Sequence, residues 1–287
     1  MAIIFGCGDV GRRIANHLME NGLPADHINA YVNTVDSAEL CAKIKVLALR
    51  VDLDDLQRDL SLCNEQDLFY TVAPQKYGEH DERSRTLLEM WEATGVSPRK
   101  VVLISTTGVY GDCNGEWVTE SSATTPQTDR ARRRLDSETV WFDWGQRTRV
   151  PVVVLRVPGI YSYSRLPKDR LMKRTPVVRP EECGFTNRVH ANDLARIAVR
   201  AMEVGEAGEV FNATDGVPGK ISEFLQEAAT VLGMEPLPQI SMEEAKSELS
   251  EGMLSYLNES RKISNQKMIA QLGVELLYPN FKQGIRY

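Results

Sequence analysis

At 287 residues, the chain is long enough for one large α/β domain or for a nucleotide-binding domain with a smaller companion, and its net charge of −6 argues against general affinity for nucleic acid or anionic lipid. Five cysteines are scattered without a C-x-x-C or a Cys/His cluster, so neither a disulfide framework nor a metal site is indicated. No apolar run approaches the length of a membrane span, and a first strand from residue 2 leaves no room for a signal peptide, so a cytoplasmic protein acting on a small molecule is expected.

The first element is a short apolar strand, Ala2-Ile-Ile-Phe5, running into Gly6-x-Gly8-x-x-Gly11 and then a helix whose Val10, Ile14 and Leu18 recur at helical spacing up to Gly22. In such a unit the first glycine permits the tight turn, the second lets backbone approach a pyrophosphate, and the third lets the helix pack on the sheet. The helix N-terminus then faces the phosphates with free N–H groups. Gly6, Gly8, Asp9, Val10 and Gly11 are therefore candidate cofactor contacts, although an ordinary strand-turn-helix uses the same residues.

Ile28–Asn33 is the expected second strand. The acid that commonly reads the adenosine ribose about 20 residues past the glycines is missing, and Asn33-Thr34-Val35 stands in its place. Asn33 and Thr34 can donate to a 2′-phosphate that a carboxylate would repel, which favours NADP over NAD. No Arg or Lys stands at that strand end. Residues 45–52 read as a third strand, with Asp52 and Leu53 placed to meet an adenine edge; Asp52, Asp54 and Asp55 can equally open the next helix. Residues 67–74 form a fourth strand, whose exit residues Val72 and Ala73 are further cofactor candidates, and a charged helix from about Asp81 follows. Alternating strands and helices imply right-handed βαβ units and a Rossmann-like, doubly wound parallel sheet. Lys100–Gly111 then gives a buried strand ending in Ser105, Thr106 and Thr107, either ligand contacts at a strand's carboxyl end or caps of a turn.

The glycine motif, Asp52-Leu53, Ser105-Thr-Thr-Gly-Val-Tyr-Gly111, Arg156-Val-Pro-Gly-Ile-Tyr161, Arg188-Val-His-Ala-Asn-Asp-Leu-Ala195 and Val210-Phe-Asn-Ala213 occur in one order. In that order the chain resembles the short-chain dehydrogenase/reductase superfamily, in its extended and atypical branch of NAD-dependent epimerase/dehydratase-like proteins. The resemblance implies a nicotinamide cofactor, a sugar-nucleotide or other small substrate, Pro158 on the nicotinamide side, and a homodimer through surface helices. It also implies a Ser/Thr that polarises a substrate oxygen, which Thr106 matches, and a Tyr-x-x-x-Lys pair, which nothing matches. Aligning Glu138 with the acid that usually follows puts Arg130 at the Tyr and Arg134 at the Lys. A guanidinium stays protonated and cannot tune a base, so Arg134 is left a ribose or phosphate contact, and Tyr110, Tyr77 and Tyr161 are the substitute proton carriers. The alternative function is a dinucleotide-binding or redox-sensing module without turnover.

The arginine run Arg130 and Arg132–Arg134 reads as a solvated helix face offset by Asp129, Asp136 and Glu138, with Arg134 the member that turns inward. Tyr161–Arg179 is polar and basic, a lid over an anionic substrate or a plain surface loop. His190 and Asp193 form an H-x-x-D motif read as structural support. The composition shift puts a boundary near residue 165, giving a Rossmann domain over 1–165 and a smaller α/β substrate region over 166–287, with Val210–Ala213 expected to cross back to the first sheet.

Overall fold

The computed structural model describes residues 1–56 and 58–287. Seven strands, β1 (Ala2–Phe5), β2 (Ile28–Val32), β3 (Leu47–Arg50), β4 (Asp67–Tyr70), β5 (Lys100–Thr106), β6 (Val152–Val157) and β7 (Val210–Asn212), lie in the order β3-β2-β1-β4-β5-β6-β7. Every neighbouring pair is parallel. Strand order reverses between β1 and β4, so a crevice opens beyond their carboxyl ends.

Because side chains alternate across a strand, each apolar run feeds two cores. Ala2 and Ile4 join one core with Ile14 and Ala15 of helix α1 (Asp9–Glu20) and Leu194, Ala198 and Ala201 of a helix over Ala191–Val204. Ile3 and Phe5 join the other, with Trp91 of a helix over Glu82–Thr94 and Trp141 and Trp144 of a helix over Asp129–Thr148. The three indoles sit 5.7–6.0 Å apart between ring centroids, an aromatic cluster that fixes the last of these helices against the sheet. A separate core of Tyr161, Leu171, Val177, Phe224, Leu225 and Phe281 lies in the C-terminal portion, while β7 pairs with β6 inside the main sheet.

Several boundaries differ from the sequence expectation. The fourth strand stops at Tyr70 because the Thr71 hydroxyl turns back to the Phe5 and Gly6 carbonyls, at 3.0 and 2.6 Å. The third begins only at Leu47, after Lys45 adopts φ +62°. No α-helix opens at Asp52–Asp55 among the described residues, where a 3-10 turn over Ser61–Cys63 is the helical element. Asp52 instead accepts the Asp54 N–H at 3.0 Å, and Asp54 accepts Arg83 Nε at 2.7 Å.

Candidate active site

The β1–α1 turn has the shape its glycines dictate. Gly6 lies at φ +80°, a conformation L side chains avoid. A Cβ built on Gly8 would meet only the Gly6 carbonyl, at 3.8 Å, so the space in front of it is open. One on Gly11 would press Ile4 Cγ2 at 3.1 Å and the Gly6 oxygen at 3.2 Å, which is the close helix–sheet contact expected of the third glycine. Among the described residues no side chain caps the N-terminus of α1, leaving its first-turn N–H groups, including those of Asp9 and Val10, for an anion. Burial pushes the Asp9 carboxyl upward, but Arg13 and Arg165, at 3.2 and 3.1 Å, outweigh it and hold the group below its ordinary value.

At the second strand's end, Asn33 is exposed and its carbonyl accepts Arg50 Nε at 3.4 Å. The sequence places no cation beside Asn33; β3, in register with β2 so that Arg50 lies opposite Val32, brings one there. Thr34 uses its hydroxyl to cap the helix Val35–Lys43, accepting the Ser37 N–H at 3.2 Å and donating to Ser37 Oγ at 2.9 Å. Its oxygen is therefore already engaged. Leu53 is buried in the aromatic-side core and Asp52 is exposed beside it.

Thr106, Arg134 and Pro158 stand between two spaces. One is a groove of about 340 Å³ over Gly6, Gly8, Asp9 and Val10, and the other is a cavity of about 520 Å³ walled by Ala73, Thr107, Arg130, Arg133, Asn187, Tyr256 and Arg261. Thr106 Oγ1 accepts the Gly108 N–H at 3.2 Å, which leaves the hydroxyl hydrogen for a ligand. Arg134 Nη1 donates to the Val72 carbonyl at 3.2 Å, tying the helix to the exit of β4.

Arg132 is on a solvated face and Arg134 turns inward as expected; the departure is Arg133, which is buried. Among the described residues Arg132 alone of the four forms ion pairs, with Asp129 at 2.7 Å and Glu79 at 3.7 Å; Arg130, although exposed, lines the cavity with Arg133 and Arg134. They stand at i, i+3 and i+4, which is one helical face, and that spacing was the signal. The basic stretch after Tyr161 also forms no lid over this cavity. Arg174 donates to the Pro236 carbonyl at 3.0 Å and Arg179 pairs with Glu182 at 3.3 Å, while Arg165 turns to Asp9.

The substitute proton carriers are elsewhere. Tyr110 is fully buried, donates to Asn212 Oδ1 at 2.8 Å, lies under the Arg156 guanidinium, and has its pKa raised by burial. Tyr161 is buried against His190 with its pKa raised by burial, and Tyr77 is 75% exposed outside the cavity wall. The phenol that does line the cavity is Tyr256, in a short helix over Glu251–Leu257 whose residues carry no motif. His190 Nδ1 accepts the Asn192 N–H at 3.2 Å and Asp193 accepts the N–H groups of Leu277 and Tyr278 at 3.0 and 2.8 Å, so this pair pins the C-terminal tail.

Fold and site together define a Rossmann-fold protein with a groove over the β1–α1 turn that opens into a side cavity, the fold of NAD-dependent epimerase/dehydratase proteins. No family model matches the sequence, and a search of curated proteins finds no match. Among solved structures, a functionally unknown conserved protein from Silicibacter pomeroyi DSS superposes with a TM-score of 0.84 at 26% identity, over 99% of this chain and 95% of that one. A dTDP-glucose 4,6-dehydratase from Bacillus anthracis in complex with NAD gives 0.76 at 16% identity, over 99% and 94%. A UDP-glucuronic acid 4-epimerase from Bacillus cereus in complex with NAD gives 0.77 at 17% identity, over 99% and 94%. The chain thus has the fold of these nucleotide-sugar enzymes. No helix among the described residues is long and apolar enough to cross a membrane.

Proposed function

We propose that this protein binds a nicotinamide dinucleotide along the β1–α1 turn and presents it to a small substrate in the adjoining cavity, as an oxidoreductase- or epimerase-like enzyme. The carrying observation is that Thr106, Arg134 and Pro158 border both spaces. Support for the cofactor comes from the open Cβ position at Gly8 and the uncapped start of α1, and from the NAD complexes of two proteins with the same fold. When bound, the nicotinamide supplies hydride exchange. The chain's own part is to hold the pyrophosphate on backbone N–H groups, to donate the Thr106 hydroxyl hydrogen to a substrate oxygen, and to hold the Val72 turn in place through Arg134. Arg50 beside Asn33 offers a 2′-phosphate a cation, which favours NADP.

A second reading, a dinucleotide-binding module without turnover, is favoured by one observation. The positions of the acid/base pair carry Arg130 and Arg134, and Tyr110 is sealed in the core. The two readings share cofactor binding and separate on chemistry. Titration of the protein with NADPH and NADH by fluorescence tests the shared part, with no saturable binding counting against both. A substrate panel followed by nicotinamide absorbance then separates them.

A further inference from the structure

The cavity beside Thr106 is strongly basic in a chain of net charge −6. Among the described residues Lys76, Arg130, Arg133, Arg134 and Arg261 line it against one acid, Glu259, and that acid already accepts Arg261 at 2.6 Å. Arg133 is 7% exposed and donates to the Gly78 carbonyl, and Arg134 donates to the Val72 carbonyl. Neither forms an ion pair among the described residues: Glu138 is paired with Arg156 and Asp136 with Arg85, and the buried Asp81, which acts on Arg134 through space, accepts the Ser84 N–H and hydroxyl instead. Burial pushes the Arg134 pKa down, yet a guanidinium keeps its proton in a protein. Carbonyl oxygens satisfy some N–H groups of Arg133 and Arg134 without pairing their charge directly, and a buried charge is best met by an opposite charge in contact.

We propose that the cavity holds a small organic polyanion, a di- or tricarboxylic or phosphorylated acid, with one anionic group at the Thr106 end against Arg134 and Arg130 and another toward Arg261. The inference rests on reading the groove and the cavity as one site. Arg134 borders both, so the anion it holds lies next to the carbon that reacts. The neutral glucose ring of a substrate such as dTDP-glucose would bring no charge to Arg130 and Arg134 at that end, so the substrate class differs from that named for the Bacillus anthracis protein.

Calorimetric titration with 2-oxoglutarate, 3-phosphoglycerate and UDP-glucose, each with and without saturating NADPH, tests it. The two acids are expected to bind, more weakly as salt is raised, and the stronger of them tells a second carboxylate from a phosphate. Arg130→Gln, at an exposed position with no ion pair to lose among the described residues, should weaken them about tenfold or more, as loss of a charge-assisted hydrogen bond does, while NADPH affinity and the unfolding midpoint stay unchanged. The inference is overturned if neither acid binds at millimolar concentrations, if Arg130→Gln leaves their affinity alone, or if UDP-glucose binds more tightly than both. Failure of NADPH to bind would instead strike the cofactor reading, and the titrations without NADPH still decide this one.

Discussion

Glu138 and Arg156 form a buried clamp: the carboxylate accepts Arg156 Nη2 at 2.7 Å and Nε at 3.1 Å, with side chains 3% and 8% exposed, and Ser105 donates to the same carboxylate. Glu138 is one helical turn beyond Arg134, so the clamp sets the rotation of that helix against β5 and β6 and thereby aims the three arginines at the cavity. Glu138→Ala would leave a buried guanidinium unpaired, a change that costs about 3–5 kcal/mol in such settings. Urea unfolding measures it, and a loss no larger than that of a surface substitution would show that the clamp does not hold the helix.

Gly8 and Gly11 should respond in opposite ways to added side chains. Gly8→Val extends into open space at φ −74°, so the protein should keep its unfolding midpoint and lose dinucleotide binding. Gly11→Val drives into Ile4 and the Gly6 carbonyl, so stability itself should fall, by about 1–3 kcal/mol as for other overpacked sites. Unaltered NADPH affinity in a folded Gly8→Val protein would reduce the motif to a turn.

Much of the first half was legible because its physics is local. The run Ala2–Phe5 and the glycine spacing specify strand, turn and helix within one stretch of chain, and the structure has β1 and α1 there. What sequence order hides is lateral. Arg50 reaches Asn33 only because β3 lies beside β2 in a given register, and Tyr256 reaches the cavity only because the C-terminal portion folds back over Thr106. Within the arginine run, Arg132 faces outward and Arg134 inward as the sequence predicts, whereas the buried Arg133 is not legible from consecutive positions. Consecutive positions do point apart, but Arg130, Arg133 and Arg134 skip one residue pair and recover a single face. Tyr110 looked available because it follows a strand end; its ring is covered by Arg156 from the neighbouring strand.

Cofactor choice should depend on Arg50. With Arg50→Ala the 2′-phosphate loses its cation, so NADP affinity should drop about tenfold, the scale of a charge-assisted contact, while NAD affinity stays level. Asn33→Asp should act in the same direction through repulsion. Parallel losses for the two cofactors in competition titrations would leave no 2′-phosphate site at this strand end.

Thr106 and Tyr110 should separate chemistry from structure. If turnover is found, Thr106→Ala should reduce kcat by about 10²-fold, near the lower range for a group that moves or shares a proton in the transition state. Tyr110→Phe should leave kcat close to wild type and lower stability by about 1 kcal/mol through loss of its bond to Asn212. Wild-type kcat in Thr106→Ala would move the reacting oxygen away from this hydroxyl.

Asp215 gives the protein a pH-dependent stability. The residue is 6% exposed, with Oδ2 unpartnered among the described residues and Oδ1 accepting the Val217 N–H at 3.0 Å. Burial pushes its pKa up to about 7, against the opposing pull of the Val217 N–H and Arg188. The folded state therefore holds this proton where the unfolded chain, near 3.8, has released it. More protons on the folded form mean stability that is full below about pH 4 and is lost as pH rises through about 7. A tenfold difference in proton affinity between the folded and unfolded chain is worth about 1.4 kcal/mol, so the loss is on the order of a few kcal/mol. His190 works the other way: burial lowers its pKa, so its neutral form favours folding as pH rises through the unfolded value near 6.5. Comparing wild type with Asp215→Asn cancels that second effect, since the amide keeps the Val217 acceptor and cannot ionise. The variant should be the more stable of the two at pH 8 relative to pH 4, and its urea midpoint should fall less across that interval. Parallel pH profiles for the two proteins would mean that Asp215 ionises in the folded state as readily as in the unfolded one.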